Sequence, residues 1–164
     1  ESESFYDLRC DINKFYAASA LCEAASALTF EEDGSAQMFL YCIEGLRDMC
    51  EGDECFALIK FLVRALSLSG YGFSVGDCAE CGADLSQEEK LRFDMSSGLF
   101  TCWDCGTGAG VSGSTYAVLR AAEGRPCGPV TEEGEKRALR LLREYFALKT
   151  DSRCLSLSEY LRLL

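Results

Sequence analysis

The chain has 164 residues, of which 48% are apolar and 26% charged, a composition that suits one globular domain with or without a small appended lobe. Its formal charge of −11 argues against direct capture of a phosphate backbone by this chain alone. It has no histidine, which excludes a Ser-His-Asp or Cys-His mechanism within one chain and removes the commonest general base.

Taken in order, Phe5 to about Leu28 reads as a helix, with Phe5, Leu8, Ile12, Phe15, Tyr16 and Cys22 recurring at three- and four-residue steps. Phe30 to Ser35 is expected to be a polar turn around Asp33-Gly34. A second helix covers Ala36 to Cys50, with Met38, Phe39, Tyr41, Cys42, Leu46 and Met49 inward. After an acidic turn at Glu51 to Glu54, a third helix runs from about Cys55 to Ser69 and stops at Gly70, a good residue for ending a helix. It is apolar on most sides and is expected to be the central helix. Short connections imply antiparallel packing.

From Tyr71 to Ser114 the texture changes. Glycines punctuate short alternating stretches such as Leu91-Arg92-Phe93 and Leu99-Phe100-Thr101, which read as small β-hairpins. Helical texture returns at Ser114 to Ala122 and breaks at Gly124 to Val130. A last long helix follows from Thr131 to about Lys149, with Glu132, Glu133 and Glu135 at its positive end and Ala138, Leu141, Leu142, Tyr145 and Phe146 as its apolar face. Leu157 to Leu164 is a short segment that can dock on the bundle. The expected fold is mainly α: an antiparallel helical bundle of residues 1–70 and 112–164, with a four-cysteine zinc lobe of short β-hairpins inserted at 71–111.

The strongest local signal is Cys78-x2-Cys81, twenty residues, then Cys102-x2-Cys105. Two residues between cysteines let a turn aim both sulfurs at one point, and two such knuckles complete a tetrahedral four-sulfur shell that suits one structural Zn²⁺. Gly82 and Gly106 follow the two pairs and allow tight turns there. Two disulfides would need an oxidising compartment, and a redox pair usually comes singly. A closed four-thiolate site leaves no open position for hydrolysis, so a non-enzymatic role is expected. The other seven cysteines, Cys10, Cys22, Cys42, Cys50, Cys55, Cys127 and Cys154, read mostly as small buried hydrophobes, with Cys127 the more exposed.

Gly106 to Gly110 has no Gly-Lys-Ser/Thr after it and is not a phosphate loop. Asp48, Glu51, Asp53 and Glu54 lack calcium-loop spacing and read as a solvated turn. Lys136, Arg140 and Arg143 share one face of the last helix, with Glu132 and Glu144 as partners one turn away. Lys60 and Arg64 lie one turn apart on the apolar third helix and either snorkel outward or edge a groove. Lys60, Arg64, Arg140 and Arg143 are the candidates for a basic rim that takes an acidic, apolar peptide.

No basic segment followed by an apolar one marks a signal peptide, and the apolar run Phe56 to Leu68 is too short and too charged to span a bilayer, so a cytoplasmic location is expected. The start at Glu1, without methionine, reads as a piece of something longer.

Phe61-Leu-Val-Arg-Ala-Leu-Ser-Leu-Ser-Gly-Tyr71, then Cys78-Ala-Glu-Cys-Gly82, then Phe93 through Ser97-Gly98-Leu-Phe-Thr-Cys-Trp-Asp-Cys105, resembles the bacterial recombination mediator family RecO. Phe5-Tyr-Asp-Leu-Arg9 with Phe15-Tyr-Ala-Ala is similar to that family's first helix after its N-terminal domain, and Leu155 to Leu163 to its closing segment. The resemblance implies a bacterial DNA repair and recombination mediator that works with RecR and the tail of single-strand-binding protein. It also implies that DNA contact lies mainly in an N-terminal OB-fold barrel absent from this chain. The strongly acidic balance departs from the often more basic family. The alternative is a stand-alone zinc-dependent redox or stress sensor that uses the surplus thiols.

Overall fold

In the computed structural model, residues 5–29, 32–125 and 128–164 are described. Among them seven helices and one three-stranded sheet follow in the order α1 (Asp7–Cys10), α2 (Ile12–Leu28), α3 (Glu32–Glu51), α4 (Glu54–Leu68), β1 (Lys90–Asp94), β2 (Leu99–Cys102), β3 (Ala109–Ser112), α5 (Gly113–Ala122), α6 (Glu132–Thr150) and α7 (Leu155–Leu163). The mainly helical class with a small sheet and a four-cysteine cluster is as expected. Among the described residues no helix is long and apolar enough to cross a membrane.

α4 is the centre. Nine of its fifteen residues are buried, and it packs against α2, α3, α5 and α6. Asp53 accepts a hydrogen bond from the Phe56 amide at 2.9 Å and starts it, so the acidic turn serves as a cap. Gly70, at φ +79°, follows its end.

The first helix differs from its expected form. Asp11 is extended (φ −120°, ψ 125°) and its carboxylate accepts from the Asn13 and Lys14 amides, so it ends α1 and caps α2. The break also rotates the apolar stripe. Ile12, Phe15 and Cys22 are exposed, and α2 buries Ala17, Ala20, Leu21, Ala24, Ala25 and Leu28 instead. Alanines let α2 lie close to its neighbours and carry little signal in a hydropathy reading. α3 is helical from Glu32, so the expected turn at Phe30 to Ser35 shrinks; Phe30 and Glu31 lie outside the described residues. A glycine such as Gly34 inside the first turn costs about 1 kcal/mol, which the following apolar period outweighs. Phe39, expected inward, is exposed, and Met38, Gly45 and Met49 face the core. α7 docks on α2 and α6 and buries Leu157 and Tyr160.

The sheet has the order β2-β1-β3, antiparallel throughout, with Phe93 opposite Phe100 and Ala109. β3 begins within the glycine-rich stretch Gly106 to Gly110. Leu91, Phe93, Phe100 and Val111 turn one face inward. There Phe73, Phe93, Phe100, Tyr116 and Tyr145 form one aromatic cluster with ring centroids 4.5–6.5 Å apart, joining the sheet to α5 and α6. The Tyr116 hydroxyl donates to the Gly76 carbonyl, and Lys149 reaches the Ser96 carbonyl at 2.6 Å. The cysteine segment is therefore held to the helices by a shared core.

Candidate metal centre

The first knuckle leaves the loop after α4. The Cys78 amide donates to the Ala83 carbonyl at 2.8 Å and the Gly82 amide to the Cys78 carbonyl at 2.9 Å. This tight loop needs φ +73° at Gly82, the left-handed region that glycine adopts without strain. The second knuckle begins at the last residue of β2, Cys102, and closes with the Cys105 amide on the Cys102 carbonyl at 3.2 Å. Gly106 does a different job from Gly82. Its φ is not positive, and a Cβ there would run into the Thr101 side chain, so glycine is required by close approach.

The four sulfurs lie within 4.8 Å of one another. Cys81 and Cys102 Sγ are 3.4 Å apart, a non-bonded distance well beyond the about 2.05 Å of a disulfide. The Cys102 amide donates to Cys78 Sγ at 3.3 Å. Cys78 is buried, Cys102 half-buried, and Cys81 and Cys105 exposed. Burial alone would raise the Cys78 thiol, but backbone amides of Cys81, Cys102 and Glu80 outweigh it and bring it down to about 6. Hydrogen bonds with Cys78 and Cys81 push the Cys102 thiol up. A tetrahedral zinc site with bonds of about 2.3 Å needs sulfurs roughly 3.8 Å apart, so this donor set fits that ion in number, chemistry and spacing.

Arg92 is the residue that the spacing argument missed. From β1 its guanidinium lies 3.9 Å from the centre of the Trp103 ring, between the second pair of cysteines. It donates to the carbonyls of Trp103 and Gly108, each at 3.2 Å. One side chain thus ties the second knuckle and its exit to the middle strand. A strand arginine beside a knuckle tryptophan is a visible signal only once the pairing is known.

The four candidate cations divide between surfaces. Lys60 pairs with Asp48 at 2.8 Å and Arg64 with Glu44 at 2.6 Å, and Arg64 also stacks on Tyr41 at 4.0 Å. Both line a cleft of about 680 Å³ with Tyr41, Val63, Leu68 and Arg125. Arg140 lines a different groove, between α6 and β3. Arg143 approaches Glu144 at 3.8 Å, while the one-turn pairs on α6 are Lys136–Glu132 and Arg137–Glu133.

Of the surplus thiols, Cys55 and Cys154 are buried, and burial pushes each up to about 12. Cys42 and Cys50 are half-buried, whereas Cys10 and Cys22 are exposed, against the expectation for Cys22; Cys127 lies outside the described residues.

The fold and site together define a mainly helical domain in which a small antiparallel sheet carries a four-cysteine centre. The family model described as "Recombination protein O C terminal" matches residues 9–157. The chain is 35% identical to a DNA repair protein RecO of Frankia casuarinae over 117 residues, 69% of this chain and 46% of that protein. It is 29% identical to one of a Nocardioides species over 148 residues, 85% of this chain and 61% of that protein. A third, of Streptomyces griseus, is 32% identical over 111 residues, 66% of this chain and 44% of that protein. The chain belongs to the RecO family of DNA repair proteins and corresponds to its C-terminal region. It spans about half the length of the curated relatives it matches.

Proposed function

We propose that this chain is the non-enzymatic, partner-docking part of a recombination mediator, with one structural Zn²⁺ held by Cys78, Cys81, Cys102 and Cys105. The observation that carries the metal reading is the convergence of four sulfurs from two knuckles inside a family-matched fold. A bound zinc ion would supply charge compensation for the thiolates and a crosslink between knuckles, with no position left for a reacting water. The chain's own part is to orient the sulfurs: β2 places Cys102, the Gly82 turn places Cys78 and Cys81, and Arg92 holds the exit of the second knuckle. In this reading residues 71–111 act as a metal-stabilised lobe on the helical body of 1–70 and 112–164. Cys81→Ser and Cys105→Ser should each lower bound zinc well below one per chain. Full occupancy by mass spectrometry in both variants would refute the ligand set.

The partners come from the family resemblance: RecR, and the acidic, apolar tail of single-strand-binding protein. What supports docking of such a tail is the cleft edged by Lys60 and Arg64, where Tyr41, Val63 and Leu68 offer apolar surface. Arg140 and Arg143, the other two candidates, lie on α6 and do not line this cleft; Arg140 lines the groove beside β3. DNA contact is assigned mainly to the half of the relatives that this chain does not span. Titration of a tail peptide against charge reversals at Lys60, Arg64, Arg140 and Arg143 tests the surface, and unchanged affinity for all four removes it. For the redox-sensor alternative, burial raises the Cys55 and Cys154 thiols and makes these two poor nucleophiles, so it would have to use the exposed Cys10 and Cys22.

A further inference from the structure

The two edges of the sheet are treated differently. β2 is covered: the Ser74 amide donates to the Gly98 carbonyl and the Ala79 amide to the Phe100 carbonyl, each at 3.0 Å. β3 is the other edge. The Gly113 amide donates to the Glu89 carbonyl at 2.8 Å, which fixes the parity of the ladder. Val111 and Ala109 then face Leu91 and Phe93 as hydrogen-bonded pairs, and Gly110 opposite Arg92 turns its N–H and C=O away from the sheet. Gly110 is exposed, and those outward groups make no hydrogen bond among the described residues. Open edges are normally blocked because they template strand pairing.

Beside this edge lies a groove of about 320 Å³ between β3 and α6, with Met95, Val111 and Leu141 as apolar lining. Arg140 lines it, exposed and without an ion pair among the described residues; Arg137, also in the lining, is paired with Glu133, and Glu144, also in the lining, approaches Arg143 at 3.8 Å. In a chain of net charge −11, an unpaired arginine beside an unpaired strand is a local positive feature.

We propose that the β3 edge takes an extended segment of a partner protein as a fourth strand. An apolar side chain of that segment enters the groove and a carboxylate two residues along, on the same face of the added strand, meets Arg140. Backbone pairing at Gly110 gives the register, and side chains that alternate along an added strand give selectivity. A base-stacking ligand fits less well, since the face of Trp103 is already covered by Arg92 and the ring packs near Gly110. The site is separate from the Lys60 and Arg64 cleft and does not depend on which protein occupies that cleft.

Trp103, the single tryptophan, lies beside Gly110 and reports on the edge by its emission. The probe is a short amide-capped peptide with valine and aspartate two residues apart and serine between them, titrated into the zinc-loaded chain. Its controls are a lysine-for-aspartate twin and a twin N-methylated at alternate amides to block strand pairing. The expected result is saturable change in Trp103 emission with the aspartate peptide and at least about tenfold weaker binding of both twins. Arg140→Glu should weaken the aspartate peptide to a similar degree, and Gly110→Pro should abolish the response, while Lys60→Glu with Arg64→Glu leaves it unchanged. Equal binding of the N-methylated twin, loss of binding in the Lys60/Arg64 variant alone, or self-association of the chain in place of peptide binding would each overturn the proposal. The peptide twins need no altered protein, so the test stands even if Gly110→Pro fails to fold.

Discussion

Glu135 sits in the first turn of α6, where a carboxylate usually gains from the helix dipole, yet it is only 6% exposed. Burial, with Asp53, Glu132 and Glu54 nearby, pushes its carboxyl up to about 7 from an ordinary 4.5. The folded state therefore holds this proton more tightly than the unfolded chain. Stability from this group is complete below about 4.5, falls as pH rises toward 7, and is lost above it. Glu135→Gln should exceed the parent in stability by on the order of 1–3 kcal/mol at pH 8 and by much less at pH 5, as read from urea melts. An equal difference at both values would mean that the carboxylate is not destabilised. Sequence alone groups Glu135 with Glu132 and Glu133 as a helix-start cluster, because two of the carboxylates that oppose its charge, Asp53 and Glu54 at the start of α4, lie some eighty residues earlier. The paired cysteines, by contrast, are legible from sequence, since a two-residue spacing is a local geometric instruction.

Among elements, α7 shows how a helix can be started from a distance. Cys154 provides no side-chain cap, and the Glu23 carboxylate of α2 accepts from the Leu155 and Ser156 amides at 2.9 and 2.8 Å. Glu23→Ala should cost about 1 kcal/mol and raise amide exchange in α7 above that in α4. An unchanged exchange rate in α7 would show that the cap is dispensable. Two glycines of the sheet region separate strain from space. Gly82→Ala meets no atom but must keep a positive φ, at a cost of about 1 kcal/mol. Gly108→Ala would drive a methyl into the Phe93 carbonyl and should cost about 1–3 kcal/mol by opening the β1–β3 ladder, with calorimetry showing the larger drop for Gly108. The elements themselves were mostly foreseeable, α4 to α6 above all, because their apolar residues are large and periodic. α2 was foreseeable in extent but not in face, since Ala17, Ala20 and Ala24 weigh little against Phe15 and Ile12. β3 escaped notice because a strand of Ala-Gly-Val-Ser has almost no pattern to read.

At the scale of the whole molecule, one buried core runs from α2 through α4 to the sheet, and the aromatic cluster is its joint. Phe93, 1% exposed and ringed by Phe73, Phe100 and Tyr145, should cost about 3–5 kcal/mol when cut to alanine, whereas the 63% exposed Phe39 should cost less than about 0.5. The family was legible from the knuckles and their flanks, and the family match over residues 9–157 places the chain there. The division of labour inside it was not, because Arg92, Gly108 and the shared aromatic core depend on contacts that no spacing rule contains. That core also means that metal removal should be felt beyond the knuckles. The most direct test is to measure metal content and then melt the chain before and after a strong zinc chelator, following the aromatic near-ultraviolet signal. One zinc per chain is predicted, with a melting temperature that falls on chelation and a near-ultraviolet signal from the Phe93–Tyr145 cluster that weakens with it. Less than a tenth of a metal ion per chain with all four thiols freely titratable, or identical melts with and without chelator, would contradict the account.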